Sequence, residues 1–384
     1  MQTNDTVDEG VDPIAELESL RAQAGAGEIE LATLRAIRLG RALADARAAG
    51  AGELAPLEAE VLSDLSVLRH TRGDTPGAVA LARAALVLVP GHATALSNLH
   101  ELEALPRLAP PAQGEDPLAS RLNPWVRQAL ELAQRECGFA GKDVLEVGGA
   151  VPREHALATG ARSWSGFYLG AAAQVAAGYE IRAADARAIP WPEASFDLAF
   201  SSCAFEHIHE LPRALAEIRR VLRPGGVLVT TFAPIWSSAV GHHLWGKLDD
   251  GRRVHFLDPI VPHFGHLLLE EPELEWFLAH SVGAGAARRF TEMIFRNGHV
   301  NRLFEAEYRA AFAAAGFDDA RLCEQGPWQP CHVPTPALLA ELEARHPDLG
   351  GFDSPGFEGV LVPGRPGRAP RTRRNRTIYL GGQP

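Results

Sequence analysis

Five of the chain's 15 histidines, His242, His243, His255, His263 and His266, fall within residues 232–266, F-A-P-I-W-S-S-A-V-G-H-H-L-W-G-K-L-D-D-G-R-R-V-H-F-L-D-P-I-V-P-H-F-G-H. Imidazole exchanges its proton near neutral pH, so three kinds of role are open to them. His243, or next His242, can act as a general base that takes a proton from a hydroxyl acceptor. A subset joined by Asp249, Asp250 or Asp258 can bind a divalent metal that orients a diol or catechol-like acceptor. No spacing matches a signature such as H-E-x-x-H, and no metal ligand set is assigned. Or the rings pack and hydrogen-bond within a proline-rich segment. Trp236, His255 and His263 are the candidate substrate contacts of the same stretch.

Residues 143–155, D-V-L-E-V-G-G-A-V-P-R-E-H, read as a strand, a glycine turn and the start of a helix. A dinucleotide fingerprint needs G-x-G-x-x-G, so that the backbone can approach a pyrophosphate at the helix N-terminus. Gly148, Gly149, Ala150, Val151, Pro152 and Arg153 fail at the third and sixth places, which argues against NAD. Glu146, two places before the turn, sits badly beside a pyrophosphate but suits a cationic ligand such as a sulfonium amino acid. That charge sign points to S-adenosylmethionine.

These side chains need elements to hold them. Residues 12–105 are rich in Ala, Leu, Glu and Arg with apolar positions three and four apart, which predicts amphipathic helices. Within them, residues 57–90 resemble one tetratricopeptide repeat, with Gly73 at the interhelix turn, small Ala78 and Ala85 at the packing positions and Pro90 closing the unit. A plain helical bundle fits the same pattern. The linker L-P-R-L-A-P-P-A-Q-G-E-D, residues 105–116, cannot continue a helix and marks a boundary. Beyond it short β-branched runs alternate with helical segments: D-V-L-E-V-G, S-W-S-G-F-Y-L, Y-E-I-R-A-A-D, F-D-L-A-F-S-S and G-G-V-L-V-T-T-F. Such alternation implies an α/β fold with a parallel sheet covered on both faces, and a ligand at the carboxyl ends of its strands.

Composition sets the limits. The 384 residues are 46% hydrophobic and 22% charged, which suits two or three globular domains. A net charge of −11 disfavours a nucleic-acid partner, the arginine-rich stretch 365–376 reading as a solvated linker. Cys137, Cys203, Cys323 and Cys331 form no C-x-x-C pair and no disulfide framework. An acidic, polar N-terminus without an apolar run, and the lack of any membrane-length apolar segment, lead us to expect a cytoplasmic protein with no membrane partner.

Residues 120 to about 325 resemble a class I S-adenosylmethionine-dependent methyltransferase. The specific part is A-D-A-R-A-I-P-W-P-E-A-S-F-D-L-A-F-S-S-C-A-F-E-H-I-H-E-L-P-R-A-L-A-E-I-R-R-V-L-R-P-G-G-V-L-V-T-T, residues 184–231, similar almost position for position to the family's third through fifth strands. The resemblance implies a Rossmann-like seven-stranded sheet with S-adenosyl-L-methionine as cofactor. Gly148 and Gly149 would form its turn beside Glu146. Asp185 would meet the adenine amino group, Ala186 and Arg187 would flank the base through their backbone, and Ser201 and Ser202 would lie under the methionine moiety. Glu206 and His207, opening the next helix, would hold structure. Two departures stand out. Tyr168 occupies the place of the family's ribose-binding acid, where a phenol makes one such bond and not two charge-assisted ones. Pro152 and Arg153 fill turn positions that are usually small, and Arg153 is placed to project into the pocket.

After the histidine-rich insertion, residues 304–317 predict a helix stopped by Gly316, A-R-L-C-E-Q-G (320–326) a sixth strand, 335–346 a further helix over the sheet or a partner, and 356–366 a seventh, antiparallel strand. The expected division is therefore a helical, tetratricopeptide-like domain with its linker at 1–115 and a methyltransferase core at 116–330 carrying a lid insertion at 233–300. A C-terminal extension with the last strand and basic tail follows at 331–384. The expected function is methyl transfer to a small-molecule acceptor, an O-methylation in secondary metabolism. The alternative keeps the fold but uses the histidine-rich lid for metal-assisted hydrolysis, lyase or rearrangement chemistry. The N-terminal helices would serve a homodimer or a protein partner, since repeat-type helices expose concave surfaces.

Overall fold

The computed structural model describes residues 12–105, 122–323 and 332–364. The 106–116 part of the linker, Glu324–Gly326 of the expected sixth strand, Cys331 and the basic stretch 365–376 lie outside them. The helices are α1 (Pro13–Gly25), α2 (Ile29–Ala48), α3 (Ala55–Thr71), α4 (Thr75–Leu88), α5 (Ala93–Ala104), α6 (Pro124–Glu136), α7 (Arg153–Ala158), α8 (Leu211–Val221), α9 (Gly265–Leu268), α10 (Glu271–Val282), α11 (Ala284–Thr291), α12 (Glu305–Ala314) and α13 (Pro336–Arg345). The strands are β1 (Asp143–Val147), β2 (Ser163–Tyr168), β3 (Gln174–Ala176), β4 (Tyr179–Ala183), β5 (Phe196–Ser202), β6 (Leu222–Phe232), β7 (Trp245–Lys247), β8 (Arg253–His255), β9 (Phe317–Cys323) and β10 (Phe357–Pro363). They form two compact units. A sheet unit takes residues 111–238, 300–332 and 349–384, and a helical unit takes 1–110, 239–299 and 333–348.

The sheet unit orders its strands β3-β4-β2-β1-β5-β6-β10-β9. Strands β4, β2, β1, β5 and β6 run parallel, and β10 pairs antiparallel with both β6 and β9. The sheet is eight-stranded and not seven-stranded because the short β3 folds back on β4 as an exposed edge. Both faces are covered, as the unbroken apolar runs predict. Alternate residues of each strand enter opposite cores: Val144, Leu198, Phe200 and Val360 with Trp164 and α6 on one side, Leu145, Ala199 and Leu361 with Phe312 and α8 on the other. Helix α8 buries Leu211, Ala214, Leu215, Ile218 and Val221, one stripe at three- and four-residue spacing. The helix expected at 304–317 closes at Ala314, with Gly316 at φ +76° beyond it, and β9 starts at Phe317, three residues before the expected strand. Because β2 and β5 flank β1, chain connections diverge there and open a crevice at the strands' carboxyl ends.

In the helical unit, α3 and α4 meet across Arg72, Gly73 and Asp74, with Gly73 at φ +93° as the turn demands. Asp74 caps α4 by accepting the Gly77 N–H at 3.0 Å. The fully buried Arg69 binds Asp74 and reaches the Ile260 carbonyl at 3.3 Å and Ser281 Oγ at 3.0 Å, tying residues of the histidine-rich insertion and α10 to the N-terminal helices. Trp276 of α10 lies so close to α2 that a Cβ on Gly40 would sit 2.2 Å from its Cη2. Residues 239–299, expected as a lid insertion of the sheet domain, thus share a core with the N-terminal helices. Helix α13 packs here too, burying Leu338 and Leu342, with His346 Nε2 3.1 Å from the Leu267 carbonyl. No described helix is long and apolar enough to cross a membrane.

Candidate active site

The crevice of the sheet unit is a cleft of about 250 Å³ lined by the ends of successive strands: Gly148 after β1, Tyr168 closing β2, Asp185 and Ala186 after β4, and Cys203 and His207 after β5. Its first wall is the glycine turn. Gly148 has φ +80°, and a Cβ there would meet the Ala204 Cβ at 2.4 Å, so this position requires glycine twice over. A Cβ on Gly149 would lie 2.5 Å from Glu146 Oε1, because Glu146 tucks beneath the turn.

Glu146 supports the turn from beneath. Its carboxylate accepts the Val151 N–H at 3.0 and 2.8 Å and Trp164 Nε1–H at 2.8 Å, while Tyr179 donates to the Val151 carbonyl at 2.8 Å. Complete burial pushes the carboxyl up to about 7 against those hydrogen bonds. The cation-binding part expected of it is corrected accordingly: both oxygens point into the fold. Ser201 is corrected likewise. It is fully buried and donates to the Val147 carbonyl at 3.1 Å, stitching β5 to β1. The altered turn is accommodated. Pro152, at φ −53°, precedes α7 as a fixed first residue can, and Arg153 is exposed and outside the cleft's lining.

Asp185 and Tyr168 are the polar groups of the opposite wall. Asp185 Oδ1 accepts the Arg187 N–H at 2.8 Å, a turn cap, and both oxygens also bind the Arg187 guanidinium, whose bonds hold the carboxyl below its usual range. Tyr168 is 37% exposed at the cleft. Phe167, Ala186 and Ile208 add apolar walls. This set fits an adenosyl group: a carboxylate for an exocyclic amine, a phenol for one ribose hydroxyl, and apolar faces for a flat base.

Sequence reasoning gave Glu206 and His207 a structural part and left Cys203 and His209 unassigned. All four follow β5, and the rule that ligands lie beyond the carboxyl ends of such strands was the signal for them. His207 and His209 line the cleft. Glu206 is 2% exposed, one of its oxygens has no hydrogen-bond partner, and the other lies 4.0 Å from His207 Nε2. Burial pushes its carboxyl up to about 7, partly offset by His207. Burial also pushes the Cys203 thiol up to about 12, with Glu206 adding to it, so this is no ready nucleophile. The loop is pinned by Asn301, which donates to the Phe205 and Ile208 carbonyls at 2.7 and 3.0 Å.

The other expected residues divide between the units. Trp236 stays in the sheet unit, with the Arg302 guanidinium 5.2 Å from its ring. His242, His243, His255 and His263 belong to the helical unit. His242 is fully buried and its Nδ1 accepts the Leu244 N–H at 3.1 Å, so the neutral ring carries its proton on Nε2. Burial, then the neighbouring His266, His243 and His263, drive its pKa well below the usual value. His242 is therefore an N–H donor and not the base expected of it. His243 sits at φ +48° with Nδ1 3.1 Å from the Gly241 carbonyl, which leaves Nε2 as its basic nitrogen. His263 pairs with Glu30 at 2.9 Å, and His255 stacks on Trp245 at 5.7 Å.

Residues 166–230 match the family model described as a methyltransferase domain. A malonyl-[acyl-carrier protein] O-methyltransferase of Halorhodospira halophila is 41% identical over 76 residues, 19% of this chain and 24% of that protein. A ubiquinone/menaquinone biosynthesis C-methyltransferase of Ralstonia pickettii is 32% identical over 99 residues, 26% of this chain and 37% of that protein. The match therefore spans about a quarter to a third of these relatives' length. An S-adenosylmethionine-dependent methyltransferase of known structure from Mesorhizobium loti aligns with 61% of this chain and 94% of its own at 21% identity, with a TM-score of 0.35. The matched block runs from β2 into β6, so this part of the chain is similar to a methyltransferase domain.

Proposed function

We propose that the chain methylates a small-molecule acceptor, at oxygen and in secondary metabolism in the cytoplasm. The observation that carries this reading is the cleft at the switch point, where Gly148, Tyr168, Asp185 and Ala186 converge from three strand ends. When bound, S-adenosylmethionine supplies a sulfonium methyl for direct displacement. The protein's part is to hold both reactants in line, which can contribute more to the rate than any single proton transfer. Asp185 accepts the adenine amino group, Tyr168 one ribose hydroxyl, and the backbone after Asp185 flanks the base.

The proton of an acceptor hydroxyl needs a base at the same cleft. His207 lines it, with the carboxyl of the buried Glu206 4.0 Å from its Nε2. We assign the base to His207 in preference to His243 because His207 belongs to the unit that carries the cleft. The helical unit is proposed as the surface for a protein partner or a second copy.

Isothermal titration of the full chain with S-adenosylmethionine and S-adenosylhomocysteine tests the reading. Saturable binding of both, lost in Gly148→Ala, supports it. No heat and no thermal shift with either rejects it. A stoichiometric transition metal in the purified protein without such binding favours the metal-assisted alternative.

A further inference from the structure

The carboxylate that should receive the adenine amino group is already engaged. Asp185 offers two oxygens with about four acceptor directions. Three N–H groups of Arg187 take up most of them: the backbone N–H on Oδ1 at 2.8 Å, the single Nε–H shared between Oδ1 and Oδ2 at 3.0 Å each, and Nη2 on Oδ2 at 2.6 Å. A guanidinium fork of this kind is the strongest competitor a carboxylate can have among side chains. The same guanidinium has a second anchor. Arg187 Nη1 donates to Glu210, the residue before α8, which follows directly on the cleft residue His209. Glu210 sits at φ +51° and has Arg213 3.8 Å away as a further cation.

We infer that Arg187 sets cofactor affinity as a two-position latch, covering Asp185 when the cleft is empty and falling back on Glu210 when an adenosyl ligand takes the carboxylate. The inference rests on the proposed function, since it presumes an adenosyl group in this cleft. Because the guanidinium keeps one carboxylate in either position, the exchange costs little. What the ligand gains at Asp185 is reduced by the ion pair it displaces. Arg187 is a positioning residue, acting through the availability of Asp185.

The latch makes the two partners of Arg187 act with opposite sign. In Arg187→Ala the carboxylate is uncovered, and S-adenosylhomocysteine affinity should rise about two- to fivefold, the span of an exposed ion pair. In Glu210→Gln the fallback is gone, the guanidinium stays on Asp185, and affinity should fall by a similar factor. Raising the salt screens the pair, so the native chain should bind S-adenosylhomocysteine more tightly as ionic strength rises. In Arg187→Ala that salt response should vanish.

The experiment is isothermal titration of the full-length native chain, Arg187→Ala and Glu210→Gln with S-adenosylhomocysteine at low and moderate salt, alongside melting curves of each apoprotein. Opposite shifts with unchanged melting establish the latch. Two variants that weaken binding together would show that Arg187 grips the ligand or merely braces the loop, and overturn it. Unchanged affinity in both also overturns it. If the native chain and Arg187→Ala both fail to bind, the methyltransferase reading falls and takes the latch with it, whereas a native chain that binds without opposite shifts sinks the latch alone.

Discussion

Glu30 of the helical unit and Glu146 and Glu206 of the sheet unit are held in opposite ways. In the helical unit, burial acts to raise Glu30, but His263 at 2.9 Å and Arg72 at 3.0 Å outweigh it and leave the carboxyl at about 2. In the sheet unit, Glu206 has one oxygen without a partner and Glu146 has only neutral donors, and burial leaves both at about 7. A buried acid flanked by cations cements a structure. A buried acid left without them, beside a cleft, is strained toward protonation, which is common where a fold has kept a group for chemistry.

The largest effect that would sharpen this contrast is on the turn. Gly148→Ala would press a methyl against Ala204 at 2.4 Å and force a residue with a side chain to φ +80°, so S-adenosylhomocysteine binding should drop beyond detection while the helical unit is unaffected. Titration calorimetry with hydrogen exchange on peptides of each unit would check it. Retained affinity would mean that the cleft at β1 is not where an adenosyl group lies.

Next in size is Glu30→Ala, which leaves Arg72 and His263 without their shared carboxylate. The carboxylate is half-buried, so removing it costs between the roughly 1 kcal/mol of an exposed pair and the roughly 3 kcal/mol of a fully buried one. Exchange protection should fall in α2, α3 and residues 255–266. A native-like protection pattern would mean that the pair is solvated and the contrast between the units is false.

How the histidines and the cleft emerge from the sequence differs for a related reason. The parallel strands β1, β2, β4, β5 and β6 were legible because short apolar runs and glycine punctuation are local, and the block 184–231 carries a family pattern. So was the position of Asp185, two residues beyond the end of β4. The parts played by Glu146 and Ser201 were not legible, because whether a carboxylate faces a ligand or its own turn depends on Trp164 and Val151, which only the folded chain brings near. The histidine-rich stretch misled for the same cause. Its composition suits a lid, but it is Arg69 and Trp276, through contacts distant in sequence, that commit it to the helices.

The contrast also has a pH signature, with a smaller amplitude. An acid whose folded pKa is raised contributes its stability below its unfolded value and loses it as pH rises through the folded one. For Glu146 and Glu206 that window runs from about 4.5 to about 7. For Glu30, lowered to about 2, stability is present above 4.5 and lost below it as the pH falls. The surroundings of Glu146 and Glu206 should therefore loosen as the pH rises through that window while the acid side of Glu30 plays no part in it, and Glu206→Gln should recover on the order of 1 kcal/mol at pH 8. Unit-resolved hydrogen exchange across that range decides it. Unchanged protection of β1, β5 and the loop after β5 across that range would overturn the assignment.

The smallest expected effect lies at Tyr168, where the chain departs from the methyltransferase pattern it resembles. A phenol at the end of β2 can offer a ribose one hydrogen bond, worth about 0.5–1.5 kcal/mol net. Tyr168→Phe keeps the ring and loses only that bond, so S-adenosylhomocysteine affinity should weaken about two- to tenfold with apoprotein melting unchanged, the side chain being 37% exposed. Tyr168→Glu restores an acid that can accept from both ribose hydroxyls, with charge-assisted bonds roughly twice as strong as neutral ones. It should bind more tightly than the native chain, provided that the added negative charge stays far enough from Asp185 to leave the adenine contact intact. The pair of variants reads the site in both directions by titration calorimetry. If Tyr168→Phe binds as well as the native chain and Tyr168→Glu binds worse, the end of β2 does not meet a ribose, and the adenosyl group would have to be held from the turn and the β4 end alone.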